Sequence, residues 1–306
     1  MTAPSLAKPP LPPPPLSATA APGAAGGQAA EPAAGSPPLA ADRLDRFLQF
    51  GFAPRRAADL PPTWRPDAIL WDLDGTLAIW TSLQVVGHIA WAYLRRLARE
   101  EPWLRALLVT ARAWRRMMRN PGPSTNDQCF NRLMAASLGR SPTAIAALTR
   151  ELLAMPEVGA AVQRFLRPIP VARALVQAAH QSGRFQQAVA TSPVMPAAFN
   201  RDRLASIGYA PAWFVHVTGS DLYSSQKDSP RFYQELLAHL RLPAERCLMV
   251  GNDQGKDLVA GAVGIPVFLL QTPFTRRRPA PAGLFPTWEG GYAELAQRLG
   301  LPATMT

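Results

Sequence analysis

The amino-acid sequence predicts an α/β protein, with a doubly wound parallel sheet and an all-helical domain inserted into it. The segment 67–73 is a continuous apolar run that ends in turn residues, as the buried strands of parallel sheets do. Helical patterns separate this run from four later segments of the same kind, which are 187–191, 214–218, 247–250 and 266–270. Alternating strands and helices favour an open sheet of Rossmann type, covered by helices on both faces.

The connection between the first two predicted strands is too long for one crossover helix, because five helical patterns precede the helix predicted at 170–181. In the first pattern, one face contains Leu83, Val86, Ala90, Leu94 and Leu97. In the second pattern, the apolar positions are Trp103, Leu107, Ala111, Trp114 and Met118. Gly139 ends a third helix, and Ser141 with Pro142 predicts the start of a fourth. We therefore predict an all-helical insertion over residues 79–167.

The remaining sequence divides into a tail and a discontinuous core domain. Residues 1–41 are dominated by Pro, Ala and Gly, a composition that predicts a disordered tail. A proline-rich ligand for a partner protein is an alternative interpretation of the same segment. The core domain is predicted to comprise 42–78 and 168–306, and its first element is a short helix at 42–50.

The chain has a net charge of +11, which raises the question of an anionic partner. The excess is almost entirely arginine, because the lysines are only Lys8, Lys227 and Lys256. Abundant Arg, Ala and Pro with little Lys is typical of GC-rich coding, so no nucleic-acid partner is expected. Substrates that carry negative charge remain compatible with this composition.

Eight arginines lie among three tryptophans in the first two helices of the insertion. They are Arg95, Arg96, Arg99, Arg105, Arg112, Arg115, Arg116 and Arg119, among Trp91, Trp103 and Trp114. We interpret this pattern as an amphipathic helix pair with solvated basic faces and an aromatic core. Two other hypotheses are arginines that bind an anionic substrate, and contact with a membrane surface or nucleic acid.

The two cysteines, Cys129 and Cys247, have no zinc-binding spacing and imply no disulfide framework, so a cytoplasmic location is expected. No apolar run approaches the roughly 18 residues that a membrane helix needs, and no secretory signal is recognised. We therefore expect no membrane partner.

Polar side chains follow the predicted strands, at the edge of a parallel sheet where ligands bind. In chain order they are Asp72, Asp74, Thr191, Ser192, Lys227, Asn252, Asp253 and Asp257. Asp72 and Asp74 share a face of the strand, where like charges repel unless a cation neutralises them. With Asp253 they form an oxygen-rich site suited to Mg²⁺. Lys227 and Thr191 can hold phosphoryl oxygens, while one carboxylate attacks phosphorus and the other protonates the leaving oxygen.

These residues, in this order, resemble the haloacid dehalogenase superfamily over about 67–270. The first motif is Asp-Leu-Asp-Gly-Thr, and the resemblance implies that Asp72 is the nucleophile and a metal ligand. Asp74 would be the acid/base, with its backbone carbonyl also on the metal. The hydroxyl of the second motif matches Thr191, and the lysine of the third matches Lys227. The helical insertion matches the α-helical cap of the family.

The fourth motif departs from the common pattern, because Asn252 stands where members often have Asp after the glycine. Asp253 is therefore the preferred metal ligand, and Asn252 is a second candidate. Asp257 would act through water or by contact with the ligands. Ser192 either caps the following helix or binds substrate phosphate.

The acid two residues after the nucleophile separates reaction types within this superfamily. Dehalogenases lack an acid there and transport ATPases carry Thr, so Asp74 favours a phosphatase or a phosphomutase. We expect a Mg²⁺-dependent phosphatase that hydrolyses a small phosphomonoester through an aspartyl-phosphate. The alternatives are phosphoryl transfer, and a non-catalytic scaffold that binds partners through the proline-rich tail and the basic cap. The substrate and the oligomeric state are not predicted.

Overall fold

The computed structural model describes residues 54–80, 82–120 and 122–302. The predicted disordered tail and the predicted helix at 42–50 lie outside these ranges. Throughout the described part of the chain, no helix combines the length and apolar character needed to cross a bilayer.

Within the described ranges, eight strands form two sheets. They are β1 (Ala68–Trp71), β2 (Ala78–Trp80), β3 (Leu166–Pro168), β4 (Gln186–Val189), β5 (His216–Val217), β6 (Cys247–Gly251), β7 (Val267–Leu270) and β8 (Trp288–Gly290). Six of them form one parallel sheet in the order β5-β4-β1-β6-β7-β8, and β2 pairs antiparallel with β3. Because β1 lies between β4 and β6, the residues that follow these three strands meet at one edge of the sheet.

Nine helices longer than one turn lie within the described ranges. They are α1 (Ser82–Leu97), α2 (Trp103–Met117), α3 (Asn126–Leu138), α4 (Pro142–Leu153), α5 (Pro156–Phe165), α6 (Pro170–Gln181), α7 (Ala197–Ser206), α8 (Pro230–Leu240) and α9 (Tyr292–Leu299). Helices α1 to α5 lie between β2 and β3, so the long connection is helical. A single helical turn at Gln254–Asp257 follows β6 and leads into a 3₁₀ helix at Leu258–Val263.

The ends of α3 and α4 follow from local sequence. The Thr125 side chain accepts a hydrogen bond from the backbone N–H of Gln128, which satisfies one free donor at the start of α3. Gly139 ends that helix with a left-handed φ of 65°, which glycine adopts without steric cost. Ser141 then caps α4, and Pro142 occupies its first turn.

The central strand contributes side chains to two separate hydrophobic clusters. Ile69 and Trp71 pack in one cluster with residues of α6 and α9. Ala68 and Leu70 pack in the other with residues of α8 and of the 3₁₀ helix at Leu258–Val263. Because alternate residues of a strand point to opposite faces, helices cover both faces of the sheet. The predicted doubly wound α/β fold is confirmed.

Some elements differ from the sequence-based prediction. Strand β8 was not predicted, because its three residues carry no apolar run and its pairing with β7 depends on tertiary contact. The predicted strand at 214–218 is reduced to the two residues of β5. The aromatic core expected in the first two helices was wrong for Trp91 and Trp103, which are 58% and 50% exposed.

Candidate active site

The loop after β1 carries the first two candidate residues, Asp72 and Asp74. The backbone N–H of Asp72 donates to the carbonyl of Val250 at 2.9 Å, so it extends the pairing of β1 with β6. Gly75 then turns the chain with a φ of +100°, and any β-carbon there would lie 2.1 Å from the Asn252 amide nitrogen. Only glycine allows the loop to lie this close to the end of β6.

Lys227 lies between two carboxylates at the centre of the site. Its Nζ is 2.5 Å from Oδ1 of Asp72 and 2.6 Å from Oδ1 of Asp257. Lys227 is 1% exposed and Asp257 is fully buried, so water screens neither charge. A buried ammonium group requires such partners, because an uncompensated charge in the interior is very costly.

The electrostatic balance at Asp72 favours additional positive charge. Burial raises the pKa of Asp72, the Lys227 ammonium lowers it, and the neighbouring Asp257 and Asp74 raise it again, so the net shift is upward. Burial lowers the pKa of Lys227, but Asp257 and Asp72 outweigh that effect and leave its pKa raised. One lysine therefore does not offset the cost of burying the Asp72 carboxylate.

Asp74 has a different environment from Asp72, although only one residue separates them. Its Oδ1 accepts a hydrogen bond from Nη2 of Arg203 at 2.6 Å, and its side chain remains 27% exposed. Arg203 lies on α7, is buried, and also donates to Oδ1 of Asn200 at 3.2 Å. The pairing fixes the Asp74 carboxylate at the accessible side of the site.

Asp257 positions both the Lys227 side chain and the end of β6. Its Oδ2 accepts a hydrogen bond from the backbone N–H of Asp253 at 2.7 Å. A β-carbon at Gly251 would lie 2.1 Å from that same oxygen, so glycine is required for the close approach. Asp257 thus connects Lys227 to the fourth motif through one carboxylate.

Asp253 is buried and keeps one carboxylate oxygen without a hydrogen bond. Its Oδ1 accepts from the backbone N–H of Gly255 at 3.0 Å. Its Oδ2 makes no hydrogen bond within the described part of the chain, and the guanidinium groups of Arg278 and Arg276 lie 3.6 Å and 3.9 Å away. Such an oxygen remains available to a cation or a donor.

Asn252 is also fully buried, but its side chain has partners on both sides. Its Nδ2 donates to the carbonyl of Phe274 at 2.6 Å, and its Oδ1 accepts from the Thr76 hydroxyl at 3.3 Å. The asparagine therefore links the first motif, the fourth motif and the loop after β7.

Thr191 and Ser192 follow β4, on the other side of Asp72. The Thr218 hydroxyl donates to the Thr191 carbonyl at 2.7 Å and accepts from the Thr191 N–H at 2.9 Å, which fixes this backbone turn. Oγ of Ser192 accepts a hydrogen bond from Nζ of Lys256 at 3.0 Å. A second lysine therefore contacts the second motif, which the sequence did not indicate.

A junction between the helical insertion and the core lies next to this turn. The fully buried Asn126, at the start of α3, donates through Nδ2 to the carbonyls of Pro193 and Ser225 at 3.1 Å and 3.2 Å. The backbone N–H of Asp127 donates to the carbonyl of Ser220 at 2.9 Å, and the Ser220 hydroxyl donates to Oδ1 of Asp127 at 2.5 Å. The insertion is thus attached to the loops that carry Ser192 and Lys227.

The predicted metal ligands do not form a cluster of three carboxylates. Across residues 54–80, 82–120 and 122–302, no group of three or more His, Cys, Asp and Glu side chains is arranged to hold a metal ion. The contacts explain this result, because Asp74 pairs with Arg203 while Asp257 pairs with Lys227. The oxygen atoms that remain are those of Asp72 and Asp253 and the backbone carbonyl of Asp74. Since Mg²⁺ is usually bound by one or two carboxylates with water and phosphate, this donor set fits the ion.

The sequence did not identify three residues that the structure places beside these motifs. They are Asn126, Arg203 and Thr218. Arg203 and Asn126 lie on helices, at no fixed distance from a strand end, and arginine is common in the chain. Thr218 follows β5 in the same way that Thr191 follows β4, so its position at a strand end was a usable signal.

Several known proteins are similar to this chain. The chain is 27% identical over 245 residues to the phosphoglycolate phosphatase of Rhodospirillum rubrum, covering 78% of this chain and 92% of that protein. A solved structure of a predicted phosphoglycolate phosphatase from Haemophilus somnus is 18% identical, covers 78% of this chain and 99% of its own, and has a TM-score of 0.44. That of CbbY from Rhodobacter sphaeroides in complex with phosphate is 20% identical, covers 77% and 100%, and also has a TM-score of 0.44.

A family model gives the assignment. The model of the haloacid dehalogenase-like hydrolases matches residues 66–264, more than half of the chain and the whole span from β1 to the fourth motif. The chain therefore belongs to the haloacid dehalogenase-like hydrolase family, as its motifs predict.

Proposed function

We propose that this protein is a Mg²⁺-dependent phosphatase that hydrolyses a phosphomonoester through an aspartyl-phosphate at Asp72. The observation that carries the proposal is the contrast between two carboxylates on one loop. Asp72 is buried and paired with Lys227 at 2.5 Å, whereas Asp74 is partly exposed and held by Arg203 at 2.6 Å. One carboxylate is placed for attack inside the site, and the other for proton exchange at its accessible side.

The roles of the remaining residues follow from their contacts. Asp72 attacks phosphorus, and Asp74 protonates the leaving oxygen and then takes a proton from the water that cleaves the acyl phosphate. Lys227 neutralises charge on the phosphoryl group, while Thr191 and Ser192 donate hydrogen bonds to its oxygens. Asp257 keeps Lys227 in place between the two carboxylates.

The metal would be held by Asp72, Asp253 and the backbone carbonyl of Asp74. The unsatisfied Oδ2 of Asp253 and the incomplete compensation at Asp72 support this ligand set. We do not propose Asn252 as a ligand, because Thr76 and Phe274 already occupy its side chain. When bound, Mg²⁺ would supply positive charge that stabilises the phosphoryl oxygens during transfer.

Residues 79–167 form, in this proposal, a cap that covers the carboxyl edge of the sheet. The contacts of Asn126 and Asp127 with the core loops support it, because they join α3 to the segments that carry Ser192 and Lys227. A cap in this position excludes bulk water and favours small substrates over nucleic acid. The two free, buried cysteines support a reducing, cytoplasmic compartment.

The test is phosphate release from a panel of phosphomonoesters, with Mg²⁺ and with chelator, for the wild type and for Asp72→Asn. We expect release that needs Mg²⁺ and that falls at least about 10³-fold in Asp72→Asn, because the nucleophile is removed. The matched control is Asp202→Asn, since Asp202 is an exposed acid of α7 beside Arg203. Retained activity in a folded Asp72→Asn protein would overturn the proposal.

A further inference from the structure

A cavity of about 620 Å³ lies within the helical insertion and is not used by the proposed chemistry. Helices α1 to α4 line it, and so do residues 194–196 of the core. The exposed residues Ala90 and Ala111 also line it, so the cavity reaches the surface between α1 and α2.

The walls of the cavity are almost entirely apolar. Val86, Ala90 and Leu94 of α1 line it, and so do Leu107 and Trp114 of α2. These residues belong to the two apolar helix faces that the sequence predicts, and the two faces border an open space. Apolar cavities exclude water and favour hydrocarbon groups.

Charged side chains lie at the periphery of the cavity. Arg115 and Arg119 are exposed, and neither forms an ion pair with another described residue. The third charged residue, Asp127, accepts a hydrogen bond from Ser220. The arrangement suits a molecule that is apolar along most of its length and anionic at one end.

The core residues that line the cavity directly follow the proposed phosphate-binding turn in the chain. Val194 lines the cavity, and its backbone N–H donates to the carbonyl of Ser192 at 2.8 Å. Val194 is three residues after Thr191 in the chain, which limits their Cα atoms to a distance of about 11 Å. A substrate of ordinary length can therefore place its phosphate at Thr191 and its alcohol portion in the cavity.

We propose that the cavity binds the leaving group, and that the preferred substrates are phosphomonoesters of hydrophobic alcohols. This inference rests on the proposed phosphatase function. A small, charged leaving group such as glycolate would fill little of a cavity of this volume and would gain little from its apolar walls. A linear or branched hydrocarbon group would instead remove its apolar surface from water along its length, which favours binding.

The experiment measures kcat/KM for a series of n-alkyl phosphates from ethyl to octyl, each below its micellar concentration, with phosphoglycolate as the charged comparison. Complete burial of a methylene group corresponds to a gain of about fourfold. Because burial in a preformed cavity is incomplete, we expect octyl phosphate to exceed ethyl phosphate by on the order of 100-fold.

A blocking variant and a matched control test whether the dependence of kcat/KM on chain length arises in the cavity. Ala111→Trp fills the mouth without disturbing a buried position, and it should reduce the advantage of octyl over ethyl phosphate to less than about tenfold. Ala136→Trp alters an exposed alanine of α3 that does not line the cavity, and it should leave the advantage unchanged. Calorimetry on Asp72→Asn should show binding of octyl phosphate that is lost when Ala111→Trp is added.

The outcomes separate the two proposals. Hydrolysis of every ester with no dependence on chain length would overturn the cavity assignment and leave the phosphatase intact. A chain-length gain that persists in Ala111→Trp would likewise overturn the cavity as its cause. Absence of hydrolysis from every ester would overturn the proposed function, and with it the assignment of the cavity to a leaving group.

Discussion

The carboxyl edge of the sheet and the interior of the helical insertion have opposite chemistry. At the sheet edge, Asp72, Lys227 and Asp257 are buried charges that compensate one another over distances of 2.5 Å and 2.6 Å. In the insertion, α1 to α4 surround about 620 Å³ with walls that are mostly apolar. In the proposed function, the first region holds the phosphoryl group and the second holds the group that leaves it.

Under the two proposals, this difference divides catalysis between two parts of the chain. The sheet fixes charged groups within hydrogen-bonding distance, where a small displacement would alter the chemistry. The cavity is defined by volume and polarity, so changes in its walls should alter substrate preference and leave the chemical step in place. The predictions that follow test this division, starting with the largest expected effect.

Lys227→Met removes the cation from the charged region. Two buried carboxylates then lose their common partner, and we expect a loss of about 3–5 kcal/mol in the free energy of unfolding. Phosphate release should fall at least about 10³-fold. Urea unfolding and assays on the folded protein measure both effects.

Lys256→Met is the matched control for that change, because Lys256 is only partly buried and donates to Ser192 at 3.0 Å. We expect it to change the free energy of unfolding by no more than about 1 kcal/mol. If the two substitutions lowered the free energy of unfolding equally, the buried ion pairs of Lys227 would stabilise the fold no more than the hydrogen bond of Lys256 does.

Arg203→Met tests whether Asp74, the proposed proton-transfer group, depends on its arginine partner for its position. The pair is 2.6 Å long with a buried guanidinium, and we expect kcat to fall by about 10- to 100-fold as Asp74 loses its fixed position. If Arg203 acts through Asp74, its substitution should have little further effect on kcat in an Asp74→Asn background. Independent, multiplicative losses in the double variant would contradict the assigned role.

Asn126→Ala tests the junction between the two regions. It leaves the carbonyls of Pro193 and Ser225 without a buried donor, so unfolding should become easier by about 1–3 kcal/mol. Asn131→Ala on the same helix is the comparison, with an expected change within about 0.5 kcal/mol. Equal urea midpoints for the two variants would argue against a specific junction at Asn126.

His216 provides a test of a different kind, because it is a mostly buried titratable group that forms no ion pair with another described residue. Burial lowers its pKa to about 3, with further lowering by the stacked His239 and by Arg201. Unfolded histidine has a pKa of about 6.5, so between these values the unfolded chain binds more protons. Stability should therefore fall as pH drops from about 6.5 toward 3, by up to about 1.4 kcal/mol per pH unit from this group.

The variant His216→Gln should reduce that slope. It keeps a polar side chain that can reach the hydroxyl of Tyr223, to which the His216 ring is hydrogen bonded at 2.8 Å. Unfolding free energies at several pH values between 4 and 7 measure the slope. Identical slopes in the wild type and the variant would exclude His216 as a source of acid instability.

The sequence predicted the charged region far better than the apolar one. Asp72, Thr191, Lys227 and Asp253 all follow strands of one parallel sheet, and the geometry of such sheets brings strand ends together. Arg203 could not be predicted, because it reaches Asp74 from a helix through a pairing that depends on tertiary packing. For the same reason, sequence spacing did not reveal that Thr76 and Phe274 occupy the side chain of Asn252.

The cavity shows a different limit of sequence analysis. Hydrophobic periodicity identified the helix faces that contain Val86 and Leu94 in α1, and Leu107 and Trp114 in α2. Periodicity shows which face avoids water, but it does not show whether two such faces meet in close packing. The separation of α1 from α2 depends on the packing of neighbouring helices and loops, which no local pattern records.

The most direct test of the account is to trap the covalent intermediate on the nucleophile. The protein is mixed with a hydrolysed phosphomonoester and Mg²⁺, quenched in acid within the first turnover, and digested for mass spectrometry. The account predicts a phosphoryl group on the peptide that contains Asp72, absent from the Asp72→Asn protein. Turnover with no phosphorylated Asp72, or with the label on another residue, would contradict it.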